Sequence, residues 1–329
     1  MLTPEGMVTP ERFESVTSYW LDSRDAAMWN CLFVLPPWLE AWWHDFGPGA
    51  ELYLGTFTKG GTLGGVAPLL LRGTEASFIG SADLCDYLDF VIVPGKEVDF
   101  FNHLLDDLQR RGIRRLNLRP LRPNSNVLTY LVGIAENRNY DVYRKKEDVS
   151  LEVDLPSTWQ GFLSTLTQKQ RHEVNRKLRR LREAGDVTYR VVEDGDALID
   201  SMDLFLKLFR ESREDKATFM TNRIESFFRS LIKATARSGL LRFGILGLNT
   251  SPVAVVMYFD YDNSFFLYNN GYDPEYRFLS VGLISKILCL KDAVERGRRK
   301  FDFLKGAEEY KYRLGGKEIH LYGCDIVFR

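Results

Sequence analysis

Hydrophobic periodicity in the first half of the chain predicts a mixture of helices and short strands. A helix is expected through WLEAWWHDF, followed by a hairpin whose strands, ELYLGTF and LGGVAPLLL, meet at Lys59-Gly60-Gly61. The apolar run YLDFVIV predicts a further strand. A helix with one apolar face then stops at Gly112 and leads into the strand RRLNL; that face consists of Phe101, Leu104, Leu105 and Leu108.

The second half begins with a different pattern, in which helices come first and strands follow. One long helix is expected from near Pro156 to Gly185, and two more carry apolar stripes that start at Leu198 and Ile224. Three strands come next, LLRFGILG, VAVVMYF and SFFLYNN. A last helix is expected from Ser280 to Gly297, before the strand KFDFL.

The two halves resemble each other at one point. QRRGIRRLNLRPL and VERGRRKFDFLKG share a helix end, a glycine, basic residues and a short strand, and a hairpin-rich region precedes each of them. A helix–glycine–strand junction alone is common, but the matched order of elements favours an internal duplication.

Composition narrows the class of protein. The 329 residues allow two domains, and 45% hydrophobic with 27% charged residues describe an ordinary globular protein. A formal net charge of −1 gives no overall attraction to nucleic acid or acidic membranes. The sequence has no run of about 18 apolar residues and no signal-peptide pattern. A cytoplasmic protein without a membrane span is therefore expected.

The cysteines and histidines predict no metal site. The four residues of each type are scattered, without a CxxC or HExxH motif. A Cys–His nucleophilic pair stays open, because such partners meet in space rather than in sequence. Cysteines packed as small buried hydrophobes are the favoured interpretation.

The segment YDPEYRFLSVGLISKIL contains the most informative spacing, Arg277-x-x-Ser280-x-Gly282 at the start of a helix. A helix N-terminus presents unpaired N–H groups and the positive end of the helix dipole, so it attracts anions. Gly282 would let phosphates approach the backbone, Ser280 can cap the helix, and Arg277 adds a planar cation. The alternative is a capped helix with an incidental glycine.

This spacing after an antiparallel strand resembles the acyl-CoA pyrophosphate loop of GNAT acyltransferases, usually Q/R-x-x-G-x-G/A, with Ser280 in place of the first glycine. YNNGYDPEYRFLSVGL and RGRRKFDFLKGAEEYKYRLG resemble the C-terminal half of CelD-type acetyltransferases, which are associated with bacterial polysaccharide synthesis. That family is related to the FemAB/FemX transferases, which add amino acids to peptidoglycan precursors. GSADLCDYLDFVIVPG resembles its N-terminal region, so the resemblance extends from about residue 36 to 325.

The resemblance implies an α+β fold of two fused GNAT-like domains, each a mixed, mostly antiparallel sheet flanked by helices. Residues 1–153 and 154–329 are the expected domains, with the acceptor cleft between them. Only the second has the loop, so one acyl-CoA, most simply acetyl-CoA, is expected per chain. The residues expected to bind it are Tyr268, Asn269, Arg277, Ser280, Val281, Gly282 and Leu283.

The segment FDFLKGAEEYKYRLG offers candidates for the chemistry. Acyl transfer to an amine needs a base for the ammonium and an acid for the departing thiolate. The pKa of tyrosine suits the acid role, and the resemblance points to Tyr310, with Tyr312 as second choice. Glu308 is the expected base, Lys311 is expected to bind an anionic acceptor or stabilise developing charge, and Asp302 lies on the preceding strand. The alternative is a solvated charged helix with tyrosines packed at its base.

Two regions are expected to contact the acceptor. In the basic stretch KQRHEVNRKLRRLRE most charges belong to a solvated helix, but Lys169, Arg171 and Arg176 could bind a phosphate-bearing acceptor. The same charges would suit tRNA. Asp86 and Tyr87 match the acceptor region of the family, against the alternative that a strand-end aspartate is a turn residue.

Together these observations predict a GNAT-type acyltransferase that transfers an acyl group to an amine or hydroxyl of a sugar, polysaccharide or cell-envelope precursor. Direct attack in a ternary complex is expected, because no activated Cys or Ser is evident. A FemAB-like aminoacyl-tRNA-dependent transferase is one alternative. A non-catalytic scaffold protein of a polysaccharide pathway is another, and it would not bind CoA.

Overall fold

A computed structural model describes residues 6–23, 29–81, 83–236 and 238–329. Its strands are β1 (Met7–Glu11), β2 (Glu51–Lys59), β3 (Thr62–Arg72), β4 (Glu75–Phe78), β5 (Val91–Ile92), β6 (Arg115–Leu121), β7 (Asp141–Asp154), β8 (Val187–Val192), β9 (Leu241–Leu248), β10 (Ser251–Tyr261), β11 (Ser264–Tyr272), β12 (Lys300–Lys305) and β13 (Lys317–Val327). Its α-helices are α1 (Phe13–Ser23), α2 (Pro36–Phe46), α3 (Glu97–Arg110), α4 (Val132–Asn137), α5 (Trp159–Thr165), α6 (Gln168–Glu183), α7 (Gly195–Asp200), α8 (Met202–Ser212), α9 (Glu214–Phe219), α10 (Asn222–Ala236), α11 (Val281–Glu295) and α12 (Glu309–Arg313).

The chain forms two compact units. The first extends to Asp148 and also includes Ile319–Arg329, and the second is Val149–Glu318. Where the sequence predicted a single boundary at 153/154, the contacts give two boundaries, one within β7 and one within β13. The second boundary arises because the C-terminal part of β13 pairs with β6, a strand of the first unit.

The first unit is built on a mixed sheet with the strand order β1-β2-β3-β4-β6-β13, in which β5 also pairs with β3. Adjacent strands are antiparallel except β4 and β6, which α3 connects in parallel. Its core contains an aromatic cluster in which Phe90, Phe100 and Phe101 pack edge to face.

The second unit has the same kind of sheet, with the strand order β7-β12-β11-β10-β9-β8. Only β11 and β12 are parallel, and α11 connects them. One hydrophobic cluster joins the sheet to α5, α6 and α11 through residues such as Phe162, Val174, Ile287 and Phe301. Both units are therefore mixed α/β structures with a large sheet and flanking helices.

Several elements confirm the predictions made from the hydrophobic pattern. The first hairpin is β2–β3, α2 contains WLEAWWHDF, and α3 and α11 each end just before the expected glycine. Gly112 and Gly297 both have positive φ, +81° and +71°, as glycine at a helix end favours. The repeated sequence motif thus corresponds to one strand–helix–strand arrangement in each unit.

Other predictions of secondary structure were wrong. The expected helix up to Gly185 is two helices, α5 and α6, because Thr167 caps a new helix and forms a capping box with Gln170. The stripe from Leu198 is likewise divided between α7 and α8. Within YLDFVIV only β5 is a strand, since the carboxylate of Asp89 accepts hydrogen bonds from the Phe90 and Asn126 amides. β1, β4, β7, β8, β13, α4 and α9 were not predicted.

Candidate functional site in the second unit

The parallel strands β11 and β12 separate part-way along their length. Ladder pairing between them ends at Phe266 and Asp302, although β11 continues to Tyr272. Each strand has an irregularity nearby. β11 bulges at Tyr268, and the pairing of β12 with β7 skips Phe303, next to Leu304, whose φ is +62°. A bulge leaves backbone groups outside the ladder. The two strands therefore form an opening in the sheet beside α11.

The start of α11 has an unusual backbone. Ser280 precedes the helix in the left-handed region, with φ 60° and ψ 34°, a conformation that glycine adopts more easily. The prediction that its side chain caps the helix is wrong, because its hydroxyl instead accepts a hydrogen bond from the Lys177 ammonium at 2.8 Å. The amides of Val281 and Gly282 are the first of the helix and have no acceptor within it. Its first turn has no acidic residue.

Gly282 has a packing role at this helix start. A Cβ added there would lie 2.6 Å from Cδ1 of Tyr272, so only glycine fits beneath that ring without a shift. The sequence had suggested that the missing Cβ leaves room for phosphate. The structure shows that Tyr272 uses this space, and any larger residue at 282 must move the ring.

A cavity of about 250 Å³ lies against the start of α11. Its lining includes the backbone of the helix start, Asn270 and Tyr272 from β11, and four basic side chains. The basic residues are Arg213, Lys216, Arg277 and Lys286. None of the described residues that line it is acidic. Positive side chains and the helix dipole therefore act in the same direction, and the cavity suits a multiply charged anion.

Two lysines of this cavity are electrostatically perturbed. Burial, with the nearby Arg213, lowers the pKa of Lys216 to about 8. Burial, with the positive charges of Lys216, Lys311 and Arg213, lowers the pKa of Lys286 to about 7, which Glu308 opposes. The two differ in their contacts. Lys216 donates to the carbonyl oxygen of Asn270, whereas the Lys286 nitrogen lies 3.9 Å from the ring centroid of Tyr310.

The predicted catalytic residues of α12 lie beside this cavity. Burial raises the pKa of Tyr310 above its ordinary value, with a further contribution from Glu308, so the phenol stays protonated. Lys311 is buried, and its ammonium donates to the carbonyl oxygens of Leu304 and Gly306 and to the Glu308 carboxylate, 2.9 Å away. Lys311 thus holds the β12–α12 connection, and Glu308 is already engaged by a cation.

The remaining predicted residues of this region have identifiable structural contacts. Asp302 is fully buried and accepts a hydrogen bond from the Leu304 amide at 2.8 Å, which supports the irregular backbone of β12. The Tyr312 hydroxyl donates to Glu318, which raises the pKa of Tyr312. Tyr268 is the bulged residue of β11, and its ring packs against Phe228 and Phe259. Asn269 pairs with Met257 next to the bulge.

A larger cavity of about 790 Å³ adjoins the first and shares Leu283 with it. It lies between α6, α11 and α12 and has an apolar wall and a charged rim. The apolar wall includes Val174, Leu283, Ile287 and Leu314. The charged rim includes Lys169, His172, Glu173, Arg176, Lys177, Glu309 and Arg313. Two of the predicted acceptor residues, Lys169 and Arg176, therefore line this cavity. Arg171 is not among its lining residues.

Glu173 organises the basic side chains of α6. Arg176 donates to its carboxylate twice, at 2.8 and 2.9 Å, and Lys177 lies 3.3 Å from it. These contacts lower the pKa of Glu173, against an opposing effect of burial. Lys177 also holds Ser280, so it connects the rim of the larger cavity to the helix start that lines the smaller one.

The other two predicted acceptor residues lie in the first unit. Tyr87 is buried, with its ring edge-to-face with Phe33 and the Arg122 guanidinium 4.9 Å above it. Asp86 is half-buried next to it in the chain. Their assignment to the acceptor remains a prediction.

Sequence reasoning missed four basic residues of the site, and only one had a signal in the sequence. Lys286 interrupts the apolar stripe of α11 three residues after Leu283, where a charge is unexpected. Lys177, Arg213 and Lys216 are brought to the helix start from α6 and the α8–α9 region by the fold.

Within the described part of the chain, no group of three or more His, Cys, Asp or Glu side chains is arranged to hold a metal ion. Every helix of that part is too short or too polar to span a bilayer.

Comparisons with known proteins agree with this geometry. Residues 168–312 match the family model described as an acetyltransferase (GNAT) domain. The match includes Tyr310 and the whole of α11, whose start lines the smaller cavity. The matched residues all lie in the second unit. No curated protein matches the sequence.

The fold of nearly the whole chain is similar to that of several solved structures. FemX has a TM-score of 0.64 at 11% identity, covering 96% of each chain. The C-terminal domain (DUF2156) of a putative lysylphosphatidylglycerol synthetase from Agrobacterium fabrum has a TM-score of 0.59 at 12% identity, covering 96% of this chain and 92% of that one. L-PGS from Bacillus licheniformis has a TM-score of 0.58 at 10% identity, covering 98% and 93%. At these identities the similarity concerns the fold alone.

Proposed function

We propose that the second unit binds an acyl-CoA, most simply acetyl-CoA, and transfers its acyl group to an amine or hydroxyl of an anionic sugar or cell-envelope precursor. The observation that carries this proposal is the start of α11. Its free amides, its lack of acidic residues and the cations Arg213, Lys216 and Arg277 of the smaller cavity together form the proposed site for a pyrophosphate.

The opening between β11 and β12 suits the rest of the donor. In this proposal the pantetheine extends from the helix start toward the Tyr268 bulge and Tyr310. A backbone N–H left outside the ladder at the bulge would donate to the thioester carbonyl as negative charge develops there. Tyr310, kept protonated by burial, would give its proton to the departing thiolate.

The larger cavity is the proposed acceptor site. It meets the smaller one at Leu283, and its rim carries Lys169 and Arg176 above an apolar wall. Such a rim favours an acceptor with a phosphate or carboxylate. Acceptor and donor would then meet at the opening in the sheet, and direct attack needs no covalent enzyme intermediate.

A transferase that uses aminoacyl-tRNA is a second candidate, because α6 carries exposed arginines outside the cavity, among them Arg179, Arg180 and Arg182. Calorimetric titration with acetyl-CoA and gel-shift titration with a charged tRNA separate the two. Saturable acetyl-CoA binding without a tRNA shift is expected. A tRNA complex without acetyl-CoA binding would favour the second candidate, and binding of neither would favour a scaffold.

A further inference from the structure

Four lysines lie at the start of α11 or near Lys286, and their contacts differ. The ammonium groups of Lys177, Lys216 and Lys311 each donate to oxygen atoms, from Ser280, Asn270 and the β12–α12 connection respectively. Lys286 makes no hydrogen bond or ion pair with any described residue. Behind its nitrogen lies the face of an aromatic ring, and in front of it lies the smaller cavity.

This arrangement is unfavourable for a lysine whose only purpose is structural. A half-buried amine without an oxygen partner loses hydration and receives no hydrogen bond in return. The charged groups around it mostly oppose its protonation, since Arg213, Lys216 and Lys311 are cations and only Glu308 is an anion. The ring of Tyr310 faces it, and Tyr272 lines the same cavity. The nitrogen is therefore accessible to a ligand and releases its proton easily.

The Lys286 nitrogen also lies close to Tyr310. The ring centroid of Tyr310, the proposed acid, is 3.9 Å from the Lys286 nitrogen, so the phenol ring contacts an amine that lines the smaller cavity. The carboxylate expected to be the base, Glu308, is instead paired with Lys311. An amine acceptor arrives as an ammonium and must lose a proton before it can attack.

We infer that Lys286 is the general base of the transfer reaction, an inference that rests on the function proposed above. Its neutral amine takes one proton from the acceptor ammonium, and the freed amine attacks the thioester carbonyl. The C–N bond forms and the C–S bond breaks, while the Tyr310 phenol protonates the thiolate. The proton lost by the new amide nitrogen restores Tyr310, and Lys286 releases its own proton to solvent. One proton is released per turnover.

The test compares Lys286→Arg, Lys286→Met and the control Lys291→Arg, a lysine of the same helix that pairs with Glu295. Arginine keeps the charge but cannot act as a base near neutral pH. Thiol release from acetyl-CoA is measured with two amines: glucosamine 6-phosphate, which must lose a proton, and hydroxylamine, which is uncharged at neutral pH. Calorimetry gives the acetyl-CoA affinity of each variant, and thermal melting confirms that it folds.

We expect Lys286→Arg to lower kcat with glucosamine 6-phosphate by about 10²-fold or more and to change the acetyl-CoA Kd by less than about threefold. With hydroxylamine the loss is expected to be much smaller. For the wild type, kcat/KM rises with pH through about 7, and Lys286→Met abolishes this rise.

Near-normal kcat in Lys286→Arg with both amines would overturn the assignment of Lys286 and leave the acyltransferase function intact. An equal loss with both amines would also overturn it, because the residue would then serve binding or position. A wild-type protein that binds acetyl-CoA but releases no thiol with either amine would contradict the transfer reaction itself.

Discussion

The strand–helix–strand arrangement of the two units ends in the same way but begins differently. At the end of α3 the Ile113 amide donates to the Leu108 carbonyl, and at the end of α11 the Arg298 amide donates to the Ala293 carbonyl. Both helices then pass through a left-handed glycine into a parallel strand. Local sequence therefore preserves the helix end in both units.

The helix starts differ in their acidic residues. The first turn of α3 contains Glu97 and Asp99, so its own carboxylates complement the positive end of the helix dipole. The first turn of α11 contains no acid, and it follows a left-handed Ser280 and the exposed Arg277. The same element thus has its own carboxylates at the helix start in the first unit and none in the second.

The largest expected effect tests whether the chemistry belongs to the second unit. Tyr310→Phe removes the proposed proton donor without changing the helix start, so kcat should fall by roughly 10²-fold while the acetyl-CoA affinity stays the same. Steady-state kinetics combined with calorimetry checks this. Unchanged turnover would remove Tyr310 from the mechanism.

The next effect tests the helix start itself. In the proposed function, Arg277→Ala removes a charge-assisted contact to phosphate worth about 1.5–3 kcal/mol. The expected loss of acetyl-CoA affinity is about 10- to 150-fold. Because Arg277 is exposed, the melting temperature should remain near that of the wild type.

The matched control for this change is Lys96→Ala, which removes the exposed basic residue at the start of α3. It should leave acetyl-CoA binding unaltered. If both substitutions reduced the affinity equally, the distinction between the two helix starts would be lost.

The same comparison explains what the sequence could predict. The α11 start could be found because Arg277, Ser280 and Gly282 are adjacent in the chain and precede a clear apolar stripe. Lys177 and Lys216 could not, since α6 and α9 reach the helix start only through tertiary packing. The separation of β11 from β12 could not be predicted from the sequence either, because it depends on irregular pairing in both strands. Gly282 was recognised, but its neighbour Tyr272 was not.

A smaller effect concerns the sixth residue of each helix. In α3 it is Asn102, whose side chain accepts a hydrogen bond from Arg138 at 2.7 Å, whereas in α11 it is Lys286, without an oxygen partner. Burial lowers the pKa of Lys286 to about 7, so the unfolded chain binds its proton more strongly than the folded protein. The resulting penalty is complete below pH 7 and fades toward the unfolded pKa, about 10.4.

Lys286→Met should therefore stabilise the protein by about 1 kcal/mol at pH 6 and by little near pH 10. Thermal melting at both pH values measures this, with Lys291→Met as the control that removes a half-buried lysine of the same helix, one that has an acidic partner in Glu295. A lower melting temperature of Lys286→Met at pH 6 would show that the ammonium has a stabilising partner after all.

The central claim is that an acyl-CoA binds at the start of α11 and not at the start of α3. Calorimetric titration of the wild-type protein with acetyl-CoA tests it most directly. The account predicts one saturable site per chain, weakened by Arg277→Ala and unaffected by Lys96→Ala. Two sites per chain, or no binding at all, would contradict it.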